Sequence, residues 1–412
     1  MTRRLLVLLH RYVGLATAAF LLIIGITGAM LAYLHPLSVL LSPELYNAPG
    51  RGVVLAPAQL IERAQAAEPR AQFDAIPLAL EAGAGVNFNV RGKPDPASGK
   101  PFDLGYDQLW LDPVTGSVLG RVDSEAIPPT RASLMNFVYR LHYSLAMPGR
   151  WGVWIVGGVA ILWFFDCFVG AVLTLPRGRP FLRKWQLAWG IQRKRLNYDL
   201  HRAGGLWPWL LLATLALSGI YFNLGREVFM PLFGLVAETT QDPFDMRPML
   251  APDAIQPPAV DMQQAIDIAA VKAAELGWTA KPASIFHRAE QGFWQVYYDK
   301  PKSQWATAGN YGLFIDDHSG AVFFVRAPGG TRGDVFLDWL AALHTGGVFG
   351  TPYKLILCAL GLVIATLSIT GVVIWARKRG LIGRQRGKRQ TFQRGAISSR
   401  SITGFPTHKP RT

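Results

Sequence analysis

Four long apolar runs constrain this chain more than any other feature. Residues 5–34, 151–175, 206–224 and 353–375 are each apolar enough to cross a ~30 Å hydrocarbon core, which takes about 20 helical residues. The first follows Arg3 and Arg4 and so begins like a secretory signal. Its run far exceeds a signal core of ~7–15 residues and is interrupted by His10 and Arg11, so it reads as a retained helix. With hydrophobic residues at 50%, a disordered chain is excluded.

The formal net charge of +15 invites a nucleic-acid reading until its placement is considered. The short loop around 176–202 and the segment after Trp375 carry eight and eleven Lys/Arg, with Asp199 as the only acid in either. The long inserts 36–150 and 225–352 carry ten bases against eleven acids and nine against fourteen, a joint net charge of −6. The excess is therefore a topology signal: both termini and the middle loop are expected in the cytoplasm, with the inserts exported. Nucleic acid loses its support as a partner, and the basic tail reads as a strip near anionic headgroups.

Two cysteines, Cys167 and Cys358, both within apolar runs, exclude a disulfide framework. There is no C-x-x-C-H for covalent haem attachment and no C-x-x-C for zinc or an iron–sulfur cluster. A G-x-G-x-x-G fingerprint and a P-loop are also missing from the sequence, which argues against a self-contained NAD(P)H- or ATP-driven enzyme.

The chain is an internal repeat. L-H-R-Y-V-G-L at Leu9 recurs as L-H-R-A-G-G-L at Leu200, and the same spacing pairs I-T-G at Ile26 with L-S-G at Leu217. The turn L-D-P-V-T-G from Leu111 recurs as I-D-D-H-S-G from Ile315, and R-L-H-Y at Arg140 is echoed by A-L-H-T at Ala342. Each insert opens with a helical pattern and turns to strand-like alternation, so each reads as a small α+β unit. The expected class is an α+β membrane protein with four transmembrane helices in two parallel repeats, each copy starting on the same side. The expected segments are helix 1 over 1–35, an exported domain over 36–150 ending in an interfacial helix, helix 2 over 151–175 and a basic loop over 176–204. Helix 3 over 205–224, a second exported domain over 225–352 ending in an interfacial helix, helix 4 over 353–376 and a basic tail over 377–412 follow.

Four of eight histidines fall at repeat-related positions: His10 and His201 at the cytoplasmic ends of spans one and three, His142 and His344 just before spans two and four. Any one of them alone would read as an interfacial polar residue. Four in two matched pairs can converge on a pseudo-two-fold axis, as bis-histidine ligation of two b-type haems requires. Gly14 and Gly28 lie four and eighteen residues after His10, as Gly205 and Gly219 do after His201. A bare helix face there would admit a macrocycle, or equally a facing helix.

Arg11 and Arg202 are candidates to meet haem propionates, or else plain positive-inside residues. His35, whose repeat equivalent is Arg226, is an alternative ligand or propionate partner. Asp166, deep in a span, is a functional candidate that could handle a proton or bond a haem-ligating histidine. Its competing reading is a hydrogen bond to Ser218, Thr366 or Ser368. His287, His318 and His408 read as surface residues. Trp110, Trp294, Trp305, Tyr297 and Tyr311 are possible docking contacts, with core packing the stronger reading.

Taken in order, the L-H-R-Y-V-G-L and I-T-G motifs, their second copies, the L-H echoes and the D-x-x-T/S-G turns resemble the PepSY-associated transmembrane proteins, also described as iron-regulated membrane proteins. The resemblance covers roughly residues 1–378. It implies a bacterial inner-membrane protein with two periplasmic PepSY-like domains, and similar members act as haem-containing reductases of ferric siderophores. The matching histidines are His10, His142, His201 and His344. The expected function is therefore a dihaem ferric-siderophore reductase, fed by a quinol or a cytosolic flavoprotein and releasing ferrous iron in the periplasm. Two alternatives stand beside it: electron transfer to another periplasmic acceptor, and a non-redox module in which the exported domains bind a partner.

Overall fold

The structure, a computed structural model, describes residues 2–174, 193–251, 254–304 and 306–382. Residues 176–192 of the basic loop, the tail from 383 onward with His408, and Trp305 lie outside the described residues.

The first half runs α1 (Arg3–Leu31), α2 (Leu34–Leu41), α3 (Pro43–Tyr46) and α4 (Pro57–Ala67), then β1 (Ala71–Pro77), β2 (Val86–Gly92), β3 (Gln108–Leu111) and β4 (Val118–Val122), and ends with α5 (Leu134–Ser144) and α6 (Trp151–Thr174). The second half runs α7 (Arg193–Leu206), α8 (Trp209–Leu224), α9 (Met230–Phe233), α10 (Met262–Glu275), β5 (Lys281–Arg288), β6 (Phe293–Asp299), β7 (Tyr311–Asp316), β8 (Val322–Arg326), α11 (Arg332–Thr345) and α12 (Gly350–Lys378).

Among the described residues, α1, α6 and α12 are each long and apolar enough to cross a membrane, and the bent pair α7–α8 brings the number to four if counted as one span. Small residues let these helices approach. A Cβ on Gly25 of α1 would stand 2.6 Å from the Gly361 carbonyl oxygen of α12, so the two backbones touch where side chains would ordinarily hold them apart. Polar side chains inside α1 are satisfied locally: the Thr17 and Thr27 hydroxyls donate to the carbonyls of Val13 and Ile23 at 2.9 and 2.8 Å.

The expected third span departs from a single straight helix. Segments Arg195–Leu206 and Trp209–Phe233 meet at 66°. Pro208 sits at the break, where its ring lacks the N–H that would continue the ladder. His201 and Gly205 therefore belong to α7 and Gly219 to α8, which removes the shared bare face expected along one helix.

The two inserts meet in one antiparallel sheet of order β4-β3-β2-β1-β5-β6-β7-β8. Each half is a four-stranded meander whose first strand is an edge with unpaired backbone groups, and the halves join edge to edge through Ala75↔Phe286, Ile76↔Ile285 and Pro77↔Ser284. The helices α4 and α10 cover one face. Leu60 and Ala64 from α4 and Ala265 and Ala269 from α10 pack on Phe88, Leu109, Leu111, Ile285, Val296 and Leu313, all buried. Trp294 and Tyr311 belong to this core; the Trp294 indole N–H donates to the Val260 carbonyl at 2.9 Å, and Trp110 is buried against Tyr46. Tyr297 points to the other face, edge-on to Phe286.

Two histidines expected at the surface, His287 of β5 and His318 of the β7–β8 turn, are tied in rather than simply solvated. His287 and His318 hydrogen-bond the two oxygens of buried Asp317 at 2.9 and 2.7 Å, and His287 stacks on Trp294 at 4.3 Å. The helices α5 and α11 return the chain from the sheet to the membrane helices. A reciprocal Thr331–Asp334 cap starts α11, and Gly346 ends it at φ 75°. At the end of α5 the same reversal is made by Leu145 and Ala146 at φ 55° and 52°, and buried Asn223 of α8 holds this corner by donating to the Tyr143 carbonyl at 2.8 Å.

Candidate functional site: two histidine pairs

The fold brings the four repeat-related histidines together in the expected pairs. His10 of α1 and His201 of α7 have ring centroids 6.1 Å apart, and His142 of α5 and His344 of α11 have centroids 6.2 Å apart. A metal–nitrogen bond of roughly 2.1 Å and a step of about 1.1 Å from ring nitrogen to ring centre would put two imidazoles bound on opposite sides of one atom about 6.4 Å apart. Both pairs fall within a few tenths of an ångström of that separation.

The hydrogen bonds decide which nitrogen each ring presents. His10 Nδ1–H donates to Asp166 Oδ1 at 2.8 Å, and His201 Nδ1–H donates to the Leu367 carbonyl at 3.1 Å with Thr370 Oγ1 also at 3.1 Å. His142 Nδ1 lies 3.0 Å from Thr27 Oγ1, and His344 Nδ1 lies 2.6 Å from Ser218 Oγ. Each of these hydroxyls also lies within hydrogen-bond distance of a carbonyl of its own helix, Ile23 or Leu215, and so is free to accept from the ring. All four histidines thus have Nδ1 anchored by the protein, His10 and His201 as donors, which leaves each Nε2 bonded to no other described residue. This is the orientation that a ligating histidine takes when its other nitrogen is anchored by the protein.

A cavity of about 430 Å³ surrounds the His10/His201 pair. Gly14, Gly205, Arg11 and Arg202 all line it, as does Asp166. A Cβ on Gly14 would meet nothing within 4 Å, so this glycine does leave its helix face open to the cavity, whereas one on Gly205 would lie 3.6 Å from a Leu367 methyl. Arg202 is engaged with buried Asp199 at 3.1 Å and stands over the Tyr198 ring.

The PepSY-associated TM region matches residues 7–378 of this sequence. The chain belongs to the PepSY-associated TM family. That family segment begins three residues before His10 and ends at Lys378, the last residue of α12, and so takes in both pairs and the whole sheet. No curated protein is a significant sequence match.

Other glycines of this family member serve the histidines themselves. A Cβ on Gly28 would stand 3.1 Å from His142 Cε1, and one on Gly371 3.1 Å from His201 Cε1. Gly28 therefore admits an imidazole ring rather than a macrocycle, and Gly219 admits Ala160 of α6, whose Cβ it would approach at 3.3 Å. His35 is brought to neither pair: it is exposed on α2 with its ring edge-on to Tyr46 at 5.5 Å.

Sequence reasoning missed Thr27, Ser218 and Thr370 as histidine partners. The signal was present for two of them, since the I-T-G and L-S-G copies place a hydroxyl at the same offset from His10 and from His201. For Asp166, the structure selects the histidine bond over Ser218, Thr366 and Ser368.

The donor set fits a metal that brings its own equatorial ligands. Among the described residues no group of three or more His, Cys, Asp or Glu side chains is gathered as a bare ion would need. Two imidazoles per site, with an open cavity beside one pair, are residues that could hold a b-type haem.

Proposed function

We propose that this PepSY-associated protein is a dihaem b-type oxidoreductase of the bacterial inner membrane that reduces ferric siderophores on the sheet side and releases ferrous iron. The carrying observation is the pair of ring separations, 6.1 and 6.2 Å, together with the four anchored Nδ1 atoms. His10 and His201 would hold one haem and His142 and His344 the other, with Gly14 and Gly205 beside the first and Arg11 and Arg202 facing its propionates. When bound, haem iron supplies one-electron chemistry at a potential set by axial ligands, their hydrogen bonds and burial.

The spacing along α1 supports a role across the bilayer. His10 and Thr27, the partner of His142, are seventeen residues apart on this helix, a rise of about 26 Å against a hydrocarbon core of ~30 Å. One site thus stands near each face. The basic loop and tail support cytoplasmic termini and periplasmic inserts, and the matched sequence motifs support four spans in two parallel repeats. Electrons would be supplied at His10/His201 by a quinol or a cytosolic flavoprotein and delivered on the side of His142/His344, where the sheet stands over the membrane helices.

Ferric iron in a siderophore is held by hard oxygen ligands, and one electron weakens that hold. The task of this chain's own residues is to bind, orient and exclude water. Thr27, Ser218, Asp166 and the Leu367 carbonyl fix ring orientation, Asp166 and the carbonyl also fix the tautomer of their rings, and the small residues close the helices around the rings.

Absorption spectra with pyridine haemochrome quantitation on the purified full-length protein test the cofactor, with two haems b per chain expected. Anaerobic mixing of the reduced protein with a ferric hydroxamate siderophore and a ferrous trap tests the substrate. Reoxidation with trapped ferrous iron is expected, and a spectrum that stays reduced would remove the reductase reading.

A further inference from the structure

The two histidine pairs differ in one respect that the repeat does not explain. His142 and His344 pair through Nδ1 with the neutral hydroxyls of Thr27 and Ser218, and His201 Nδ1 donates to a backbone carbonyl with the Thr370 hydroxyl beside it. Of these four histidines, only His10 has a carboxylate partner among the described residues, Asp166, whose side chain is 11% exposed. Asp166 of α6 and Thr370 of α12 do the same job in the two halves, each standing against the Nδ1 of a histidine at the same end of the bundle. One half uses an anionic acceptor where the other uses a neutral one.

A carboxylate that accepts the Nδ1 proton increases the basicity of the opposite ring nitrogen, and a better electron donor favours the more oxidised state of the metal it ligates. Cationic groups at the same cavity act in the opposite sense and have to be counted. Arg3, Arg11, Arg202 and Lys378 line it, but Arg3 donates to the Leu173 carbonyl at 3.1 Å and Arg202 is paired with Asp199. Asp166, by contrast, bonds His10 directly.

We propose that Asp166, acting through His10, makes the His10/His201 site the lower-potential one, so that an electron shared between the two sites rests mainly at His142/His344. The inference stands on the haem reading above. It gives the molecule a built-in direction, toward the sheet, independent of which donor and acceptor it serves.

The test is an equilibrium redox titration of the full-length protein in lipid nanodiscs, followed by haem absorbance. His344→Ala, which keeps the His10/His201 site, assigns the two midpoints. Asp166→Asn is expected to raise the lower midpoint by at least a tenfold change in its reduction equilibrium, about 59 mV for one electron, and to leave the upper one in place. Asp166→Glu, which keeps a carboxylate, is expected to stay near the parent value. Ser218→Asp supplies the reciprocal case and is expected to lower the upper midpoint.

Two bound haems with midpoints unmoved by Asp166→Asn would overturn the inference while leaving the haem reading intact, as would a higher midpoint at His10/His201. If Asp166→Asn loses a haem, Ser218→Asp decides, and an unmoved upper midpoint overturns the proposal. A parent protein without b-type haem defeats the haem reading and this inference with it.

Discussion

Thr27 Oγ1 of α1 and His142 Nδ1 of α5 share a hydrogen bond at 3.0 Å, across 115 residues of sequence. The bond joins a membrane helix to the short helix that returns from the sheet, and Gly28 beside it clears the space the ring occupies.

Thr27→Val keeps the shape and removes this hydroxyl. Loss of an outer-shell partner typically costs about 10–100-fold in metal affinity, and haem at the His142/His344 pair is expected to weaken by that amount. Ser218→Ala should act on the same haem through His344. Haem transfer to an apo-globin acceptor measures the loss; an unchanged transfer rate in both variants would mean that the hydroxyls do not support the ligands.

The pairing itself predicts strong non-additivity. His10→Ala and His201→Ala should each remove one and the same haem, and the double variant should lose no more than either single one. Stoichiometry by pyridine haemochrome reads this directly. A double variant lacking both haems would contradict the assignment of His10 and His201 to one site.

Two glycines on α1 should respond in opposite ways to a large side chain. Gly25 faces the Gly361 carbonyl of α12 at backbone contact, so Gly25→Leu must spread the helices, an overpacking cost of about 1–3 kcal/mol or more. Gly14 faces the cavity, where a Cβ would meet nothing within 4 Å, so Gly14→Leu should fold normally and displace haem from His10/His201. Thermal unfolding in detergent, read beside the haem spectrum, separates the two effects.

The sheet carries its own pH dependence through the paired turns. Burial of Asp112 would raise its pKa, but the N–H groups of Val114, Gly50 and Thr115 outweigh burial and hold it below the usual carboxylate range. Asp316 is likewise pushed up by burial and brought lower still by Ser319, Arg247 and His318. A carboxylate with a depressed folded-state pKa contributes stability that is present above its unfolded value of about 3.9 and lost as pH falls toward the folded value. The sheet should therefore weaken on acidification below about pH 4. Asp316→Asn should lower the unfolding temperature at pH 7 and differ less from the parent near pH 3; an equal difference at both values would rule out this linkage.

The legible part of this protein was what neighbouring residues encode. The apolar runs reported α1, α6 and α12, and the D-P-V-T-G and D-D-H-S-G turns reported the paired hairpins because a turn is built from its own four residues. The histidine pairs were legible for a different reason. A repeat puts equivalent side chains at equivalent places, so His10 with His201 and His142 with His344 could be read from spacing alone.

Sequence by itself determined the membrane helices, the α+β inserts and the four histidines. Only the tertiary structure decided that the inserts merge into one sheet through β1 and β5, that Pro208 takes His201 off the helix of Gly219, and that Gly28 houses a ring. It also decided that Asp166 serves His10 across 156 residues. The physical reason is common to all four: helix periodicity and local charge depend on residues a few positions apart, whereas a partner across the bundle depends on how far each helix is rotated. That rotation is set by packing, at contacts such as Gly25 against Gly361, and no local pattern records it.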